Sequence, residues 1–222
     1  MGLDIDRSFV AVVPLGGRHV NHLWRLLADL DIRYATLLDL DWGRDGGGWG
    51  RIKTACAQLL EIGVTPQAIF GQHLNAVGPA ANLAAFDALK AENTADMTNW
   101  INWLRQFHVF FCIPLDLDYS MLRAFPAAYQ LVEPGRQGPS PQGDPRTAVL
   151  GEAGRGDLYA ADHDPLLRWY RYLFLGRGKP STHVRVLSGQ TPDALAAGAP
   201  EELRALLTSI SVRLAPPPLQ TA

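Results

Sequence analysis

Apolar residues in this chain fall into two alternating patterns, short continuous runs and longer helically spaced series. The run Phe9-Val10-Ala11-Val12-Val13 is closed by Pro14-Leu15-Gly16-Gly17, which predicts a strand entering a tight turn built on Gly16 and Gly17. Leu23, Leu26, Leu27 and Leu30 then keep helical spacing and predict a helix over 19–30. A second apolar run, Tyr34-Ala35-Thr36-Leu37-Leu38, and a third, Val109-Phe110-Phe111-Cys112-Ile113, read as buried parallel strands. Strand, helix, strand in this order predicts an α/β fold with a parallel sheet flanked by helices.

The segments between these runs refine the picture. Trp42 to Gly50 is too rich in glycine for regular structure and stands where a βα loop lines a site. A helix is predicted from Arg51 to about Ile62. The region 63–107 reads as a helical insertion, punctuated by Pro66, Gly78 and Pro79, with Met97, Trp100, Ile101 and Leu104 at helical spacing. Pro, Gly and Gln crowd 133–157, which predicts a mobile loop. Helices resume at Asp164, and the last runs from about Pro200 to Leu214. Residues 215–222 read as an extended tail after a single domain over 1–214.

Composition changes little of this but excludes some functions. A chain of 222 residues with 47% hydrophobic content buries one substantial core. A formal net charge of −2 argues against nucleic-acid binding through overall charge. Charge is unevenly placed, however. Pro165 to Ser188 contains no Asp or Glu and interleaves Arg168, Arg171, Arg177, Lys179 and Arg185 with Trp169, Tyr170, Tyr172 and Phe174. The arginines are candidates for DNA contact, and the aromatic rings are expected mainly in the core. Cys56 and Cys112 lack C-x-x-C spacing and read as reduced core thiols. The amino terminus has no basic and apolar leader, and no apolar stretch reaches membrane-spanning length, so the expectation is a cytoplasmic protein without a membrane partner.

The chemistry concentrates at strand ends. Asp39-Leu40-Asp41 comes directly after the second run, and residues i and i+2 of a strand project to one side, so the two carboxylates are expected to converge at the carboxyl end of the sheet. Asp116 and Asp118 repeat the arrangement after the third run. Hard carboxylate oxygens with few His or Cys nearby favour Mg²⁺ or Mn²⁺. The competing readings are turn capping for Asp39 and Asp41 and an N-cap of the next helix for Asp116 and Asp118.

Gly16-Gly17, Leu38-Asp39-Leu40-Asp41, Pro114-Leu115-Asp116-Leu117-Asp118 and Gly178-Lys179-Pro180 followed by His183 together resemble the Toprim half of the OLD (overcoming lysogenization defect) ATP-dependent endonucleases. The resemblance extends over nearly the whole chain. It implies a Rossmann-like Toprim fold that cuts DNA with two divalent cations, and through the family a role in defence against foreign DNA. Asp39 and Asp41 match the family's Asp-x-Asp metal ligands, Asp116 and Asp118 its later acidic motif at the second metal, and Lys179 the basic residue that stabilises charge on the phosphate. Arg168, Arg171, Arg177 and His183 are then candidate DNA contacts.

Two features depart from the family pattern. The strand ending in a Glu-containing motif, which opens the family's Toprim domain, has no counterpart here, and no G-x-x-x-x-G-K-[ST] sequence provides an ATP site. The expectation is a carboxy-terminal fragment, with an ABC-like ATPase chain or a second copy of itself as partner. The alternatives are a noncatalytic DNA-binding or interaction remnant and a metal-nucleotide site of glycosyltransferase type.

Overall fold

The computed structural model describes residues 10–14, 20–71, 78–132, 134–175 and 179–214. Helix α1 (Val20–Asp29) precedes β1 (Thr36–Asp39), and α2 (Trp49–Glu61), α3 (Pro66–Phe70), α4 (Pro79–Ala85) and α5 (Thr94–Leu104) lead to β2 (Val109–Cys112). After β2 come α6 (Leu117–Ala124), α7 (Pro126–Tyr129), α8 (Pro145–Leu150) and α9 (Asp164–Tyr170). Helix α9 runs on into a π-helical turn over Arg171–Leu175, and α10 (Lys179–Leu187), α11 (Pro192–Gly198) and α12 (Glu201–Leu214) complete the order.

Strands β1 and β2 pair in parallel with Thr36 opposite Val109 and Asp39 opposite Cys112. All four residues of β2 are buried, which is why its sequence is an unbroken apolar run rather than an alternating one. The helices between the strands present apolar residues at spacings of three and four: Ile52, Cys56 and Leu59 on α2, Met97, Trp100, Ile101 and Leu104 on α5. These converge with Trp24, Ile69, Phe70, Phe86 and Phe111 in one apolar cluster. A second cluster gathers Leu115, Tyr119, Leu122, Tyr129, Tyr159, Leu167, Tyr170, Leu173 and Phe174 from the elements after β2. Trp42 packs against both. Burying a side chain such as Ile52 or Leu122 fully contributes roughly 1.5–3 kcal/mol.

The fold is mixed α/β and mostly helical, but among the described residues the sheet has two strands rather than a full Rossmann-like set. Val10–Val13, the described part of the first expected strand, has no regular structure, and Val12 and Val13 are 77% and 60% exposed. An apolar run forms a strand only where a neighbouring backbone takes up its hydrogen bonds, and among the described residues none does so here. The stretch expected as a mobile loop over 133–157 contains α8. There Asp144 accepts hydrogen bonds from the Arg146 and Thr147 N–H groups and Pro145 occupies the first turn, a strong helix start. The expected turn at Gly16 and Gly17, together with Arg177, Gly178 and the tail over 215–222, lies outside the described residues.

Candidate functional site

The backbone beyond β1 and β2 brings four carboxylates to one place. Past the regular ladder, Leu40 N–H donates to the Cys112 carbonyl, Asp41 N–H to Leu115 (2.8 Å) and Trp42 N–H to Pro114 (2.9 Å). This continued pairing sets Asp41 beside the segment that enters α6, where Asp116 is the N-cap and Asp118 lies in the first turn. The chain then reverses through the glycine loop, with Arg44 N–H donating to the Asp41 carbonyl and Gly48 N–H to Leu40. Gly47 is obligatory in that reversal: a Cβ there would lie 1.8 Å from the Asp41 carbonyl oxygen.

Asp39 and Asp41 do not share one strand face. The strand ends at Asp39, and Asp41 has a left-handed backbone (φ 52°) in the turn beyond it, so the simple alternation of side chains stops between them. The carboxylate of Asp41 is 8% exposed and is held from two sides. Arg44 Nη1 reaches Oδ1 at 2.5 Å, while Arg51 donates to Oδ2 from Nη2 at 2.5 Å and Nε at 3.1 Å.

Asp116 is buried and has two tasks. Its Oδ1 accepts the Tyr119 N–H (3.0 Å) and so caps α6; its Oδ2 accepts the Tyr170 hydroxyl (2.5 Å) and Arg44 Nη1 (3.3 Å). The N-cap reading of Asp116 is therefore realised alongside its place in the acidic group. Arg44 spans the two strand ends, touching Asp41, Asp116, the Tyr170 hydroxyl (3.1 Å) and the Val149 carbonyl (3.3 Å). Burial works against its charge, but Tyr170, Asp116 and Asp41 outweigh that effect and raise its pKa further.

Asp118 faces α10. Lys179 Nζ approaches Oδ2 at 2.5 Å and His183 Nε2 lies 2.8 Å from Oδ1, while His183 Nδ1 lies 2.6 Å from the Tyr129 hydroxyl. A neutral imidazole with its proton on Nε2 satisfies both bonds, accepting from Tyr129 and donating to Asp118. Burial pushes the Asp118 carboxyl upward, yet the hydrogen bonds from His183 and Lys179 prevail and hold its pKa below the ordinary value. For Lys179, burial lowers the pKa and the Asp118 bond reverses the sign, so the ammonium is stabilised.

Asp39 differs from the other three. It is exposed, and among the described residues its one hydrogen bond is a long 3.3 Å contact from Leu117 N–H to Oδ1. Desolvation at the sheet end and repulsion from Asp116 and Asp41 raise its pKa to about 6, with the Leu117 N–H opposing them. Because the side chain reaches water, solvent screening limits the energetic consequence of that shift.

The donor set has the oxygen chemistry that a hard divalent cation requires. As the side chains stand, however, Asp41, Asp116 and Asp118 already spend both oxygens on basic, hydroxyl or backbone partners. Among the described residues no group of three or more His, Cys, Asp or Glu is arranged to hold a metal ion. Asp39 retains an oxygen open to a cation, and Asp41 joins it only if Arg44 or Arg51 gives way.

The structure thus brings together Asp39, Asp41, Asp116, Asp118, Lys179 and His183. Arg168 and Arg171 line a separate cavity against the 138–145 loop. Arg44, Arg51, Tyr129 and Tyr170 were not singled out as site residues from sequence. Arg44 alone carried a signal, an arginine three residues after Asp41 in a loop rich in glycine; the partners of the tyrosines lie 54 positions away along the chain.

Among the described residues no helix is long and apolar enough to cross a membrane. No curated protein and no solved structure gives a significant match to the chain. Residues 1–41 match the family model described as "Overcoming lysogenization defect protein-like, TOPRIM domain", and the match runs through β1 to end on Asp41. Toprim domains generally bind divalent cations such as Mg²⁺, and over these residues the chain is similar to the Toprim domain of OLD-like proteins.

Proposed function

We propose that the chain is the metal-dependent DNA endonuclease domain of an OLD-type ATP-dependent endonuclease, acting at the carboxyl ends of β1 and β2. The observation that carries this reading is the convergence of Asp39, Asp41, Asp116 and Asp118 with Lys179 at one end of the parallel pair, the end at which α/β sheets bind ligands. The family match that ends on Asp41 supports the same assignment. Asp39 is the primary ligand for Mg²⁺ or Mn²⁺, with Asp41 as the second once a guanidinium withdraws. A bound cation of this kind lowers the pKa of water and neutralises phosphate charge.

The chain's own residues perform the remaining work. Lys179 offers an ammonium kept protonated by Asp118, suited to a phosphate oxygen, and Tyr129 fixes the His183 ring that orients Asp118 from the other side. Arg44 and Arg51 supply positive charge around Asp41, which reduces repulsion between the acidic group and an incoming polyanion. DNA is the substrate, and an ABC-like ATPase chain or a second copy is the expected partner.

One observation favours a second reading, a noncatalytic DNA-binding remnant: three of the four carboxylates are neutralised from within the chain. Nicking of supercoiled plasmid with Mn²⁺, Mg²⁺ or EDTA, beside an Asp39→Ala, Asp41→Ala double variant, separates the two. The endonuclease predicts metal-dependent nicking that the variant loses. A folded wild type that binds DNA equally with and without metal, and never nicks it, establishes the remnant.

A further inference from the structure

A cavity of about 420 Å³ opens between the 138–145 loop and the end of α9, and none of the four carboxylates lines it. Gly138, Ser140 and Pro145 form one wall; Arg168, Arg171, Tyr172 and Leu175 form the other. Its size is that of a small-molecule site. Arg168 is pinned, its Nη1 donating to the Ser140 (3.3 Å) and Gly143 (3.2 Å) carbonyls, so the guanidinium is oriented before any ligand arrives. The Arg171 side chain is exposed and has no hydrogen-bond or ion-pair partner among the described residues.

Neighbouring acids do not cancel this charge. The two acidic residues in the segments that build the cavity are Asp144 and Asp164. Asp144 caps α8 through the Arg146 and Thr147 N–H groups and the Thr147 hydroxyl, and Asp164 is paired with Arg146 at 2.7 Å. The wall also has an apolar part. The Tyr172 ring is braced edge-on by Trp169 (5.6 Å between centroids), and Leu175 is 49% exposed beside it. The π-helical turn that carries Arg171, Tyr172 and Leu175 is a backbone form concentrated at functional sites.

We propose that this cavity binds one nucleoside monophosphate unit, with Arg171 and Arg168 on the phosphate and Tyr172 with Leu175 against the base. The unit is either a free nucleotide or part of a single DNA strand. One oriented guanidinium beside a second that makes no ion pair suits a phosphate, and an aromatic face next to an apolar side chain suits any base without selecting among them. Where the unit belongs to a strand, the inference rests on the endonuclease reading and adds an anchor for the strand away from the acidic group.

The test is binding of a fluorescent twelve-nucleotide single strand to the full chain in EDTA, with dAMP and inorganic phosphate as competitors. Arg171→Ala weakens binding roughly tenfold and lowers the slope of log affinity against log salt by about one. Tyr172→Leu weakens it about fivefold. Arg171→Ala leaves the unfolding midpoint unchanged, because the side chain is exposed and makes no ion pair among the described residues. dAMP competes better than inorganic phosphate; a strand that binds more tightly than dAMP identifies DNA as the source, and equal affinity identifies free nucleotide. Binding indifferent to Arg171, or phosphate competing as well as dAMP, overturns the proposal. Plasmid nicking scored in parallel keeps the two readings apart: a chain that nicks but ignores Arg171 lacks this subsite, and one that binds through Arg171 without nicking has the subsite and is not a nuclease.

Discussion

Replacing Arg44 by Met tests whether the acidic strand ends are held together from within. Met keeps most of the apolar volume of the arginine stem, so the change isolates the guanidinium. That group is 25% exposed, and its partners Asp41 and Asp116 are 8% and 4% exposed. Removing one partner from a buried ion pair typically costs about 3–5 kcal/mol, since a charge is left unpaired in a poorly solvated place. Here the loss is smaller. Arg51 still donates to Asp41 Oδ2, and Tyr170 and the Tyr119 N–H still serve Asp116. The expected loss is about 2–3 kcal/mol, which for a chain of this size is roughly 5–10 °C in Tm. Urea unfolding monitored by tryptophan fluorescence measures it. Combining Arg44→Met with Asp116→Asn, which keeps the helix cap, should cost at least about 1 kcal/mol less than the sum of the single changes. A single-variant loss within about 0.5 kcal/mol, or strict additivity, would refute the idea that Arg44 neutralises the site.

Other outcomes rest on the same geometry. Gly47→Ala forces a Cβ into the Asp41 carbonyl, so it should destabilise by about 2 kcal/mol or more and weaken any activity that needs Asp41; a neutral effect on thermal unfolding would count against the close approach. Asp39 has a raised pKa in the folded protein, so its contribution favours the fold below about pH 4 and is lost as pH rises through about 6. Asp39→Asn should therefore be slightly more stable than wild type at pH 7, by roughly 0.5–1 kcal/mol after allowing for screening, with the difference vanishing near pH 4. The opposite pH trend would contradict the crowding of carboxylates. Lys179→Met should reduce nicking at least tenfold on the endonuclease reading while leaving the KM for plasmid nearly unchanged, and a pure KM effect would move Lys179 from the reaction to binding.

Features that depend on near neighbours were legible in the sequence. The apolar runs mark β1 and β2, and apolar residues at spacings of three and four mark α2 and α5, because burial on one side imposes those periods locally. The four aspartates come just after such runs, and a chain leaving a buried strand emerges at the sheet edge. Their partners were not legible. Arg44 meets Asp116 across 72 positions, and Tyr170 meets the same carboxylate across 54, separations that no periodicity encodes. The run from Phe9 to Val13 has strand composition, but composition does not supply a neighbour to pair with. Helix α8 escaped notice for a different reason: the density of Pro and Gly around it obscured Asp144-Pro145, itself a helix start.

On the endonuclease reading the end of β1 takes up a divalent cation through Asp39, and direct Mn²⁺ titration read by electron paramagnetic resonance of the free ion tests this without relying on turnover. Saturable binding is expected for the wild-type chain and is lost in Asp39→Asn while the fold persists. Equal Mn²⁺ uptake by both proteins, or none by either, would contradict it.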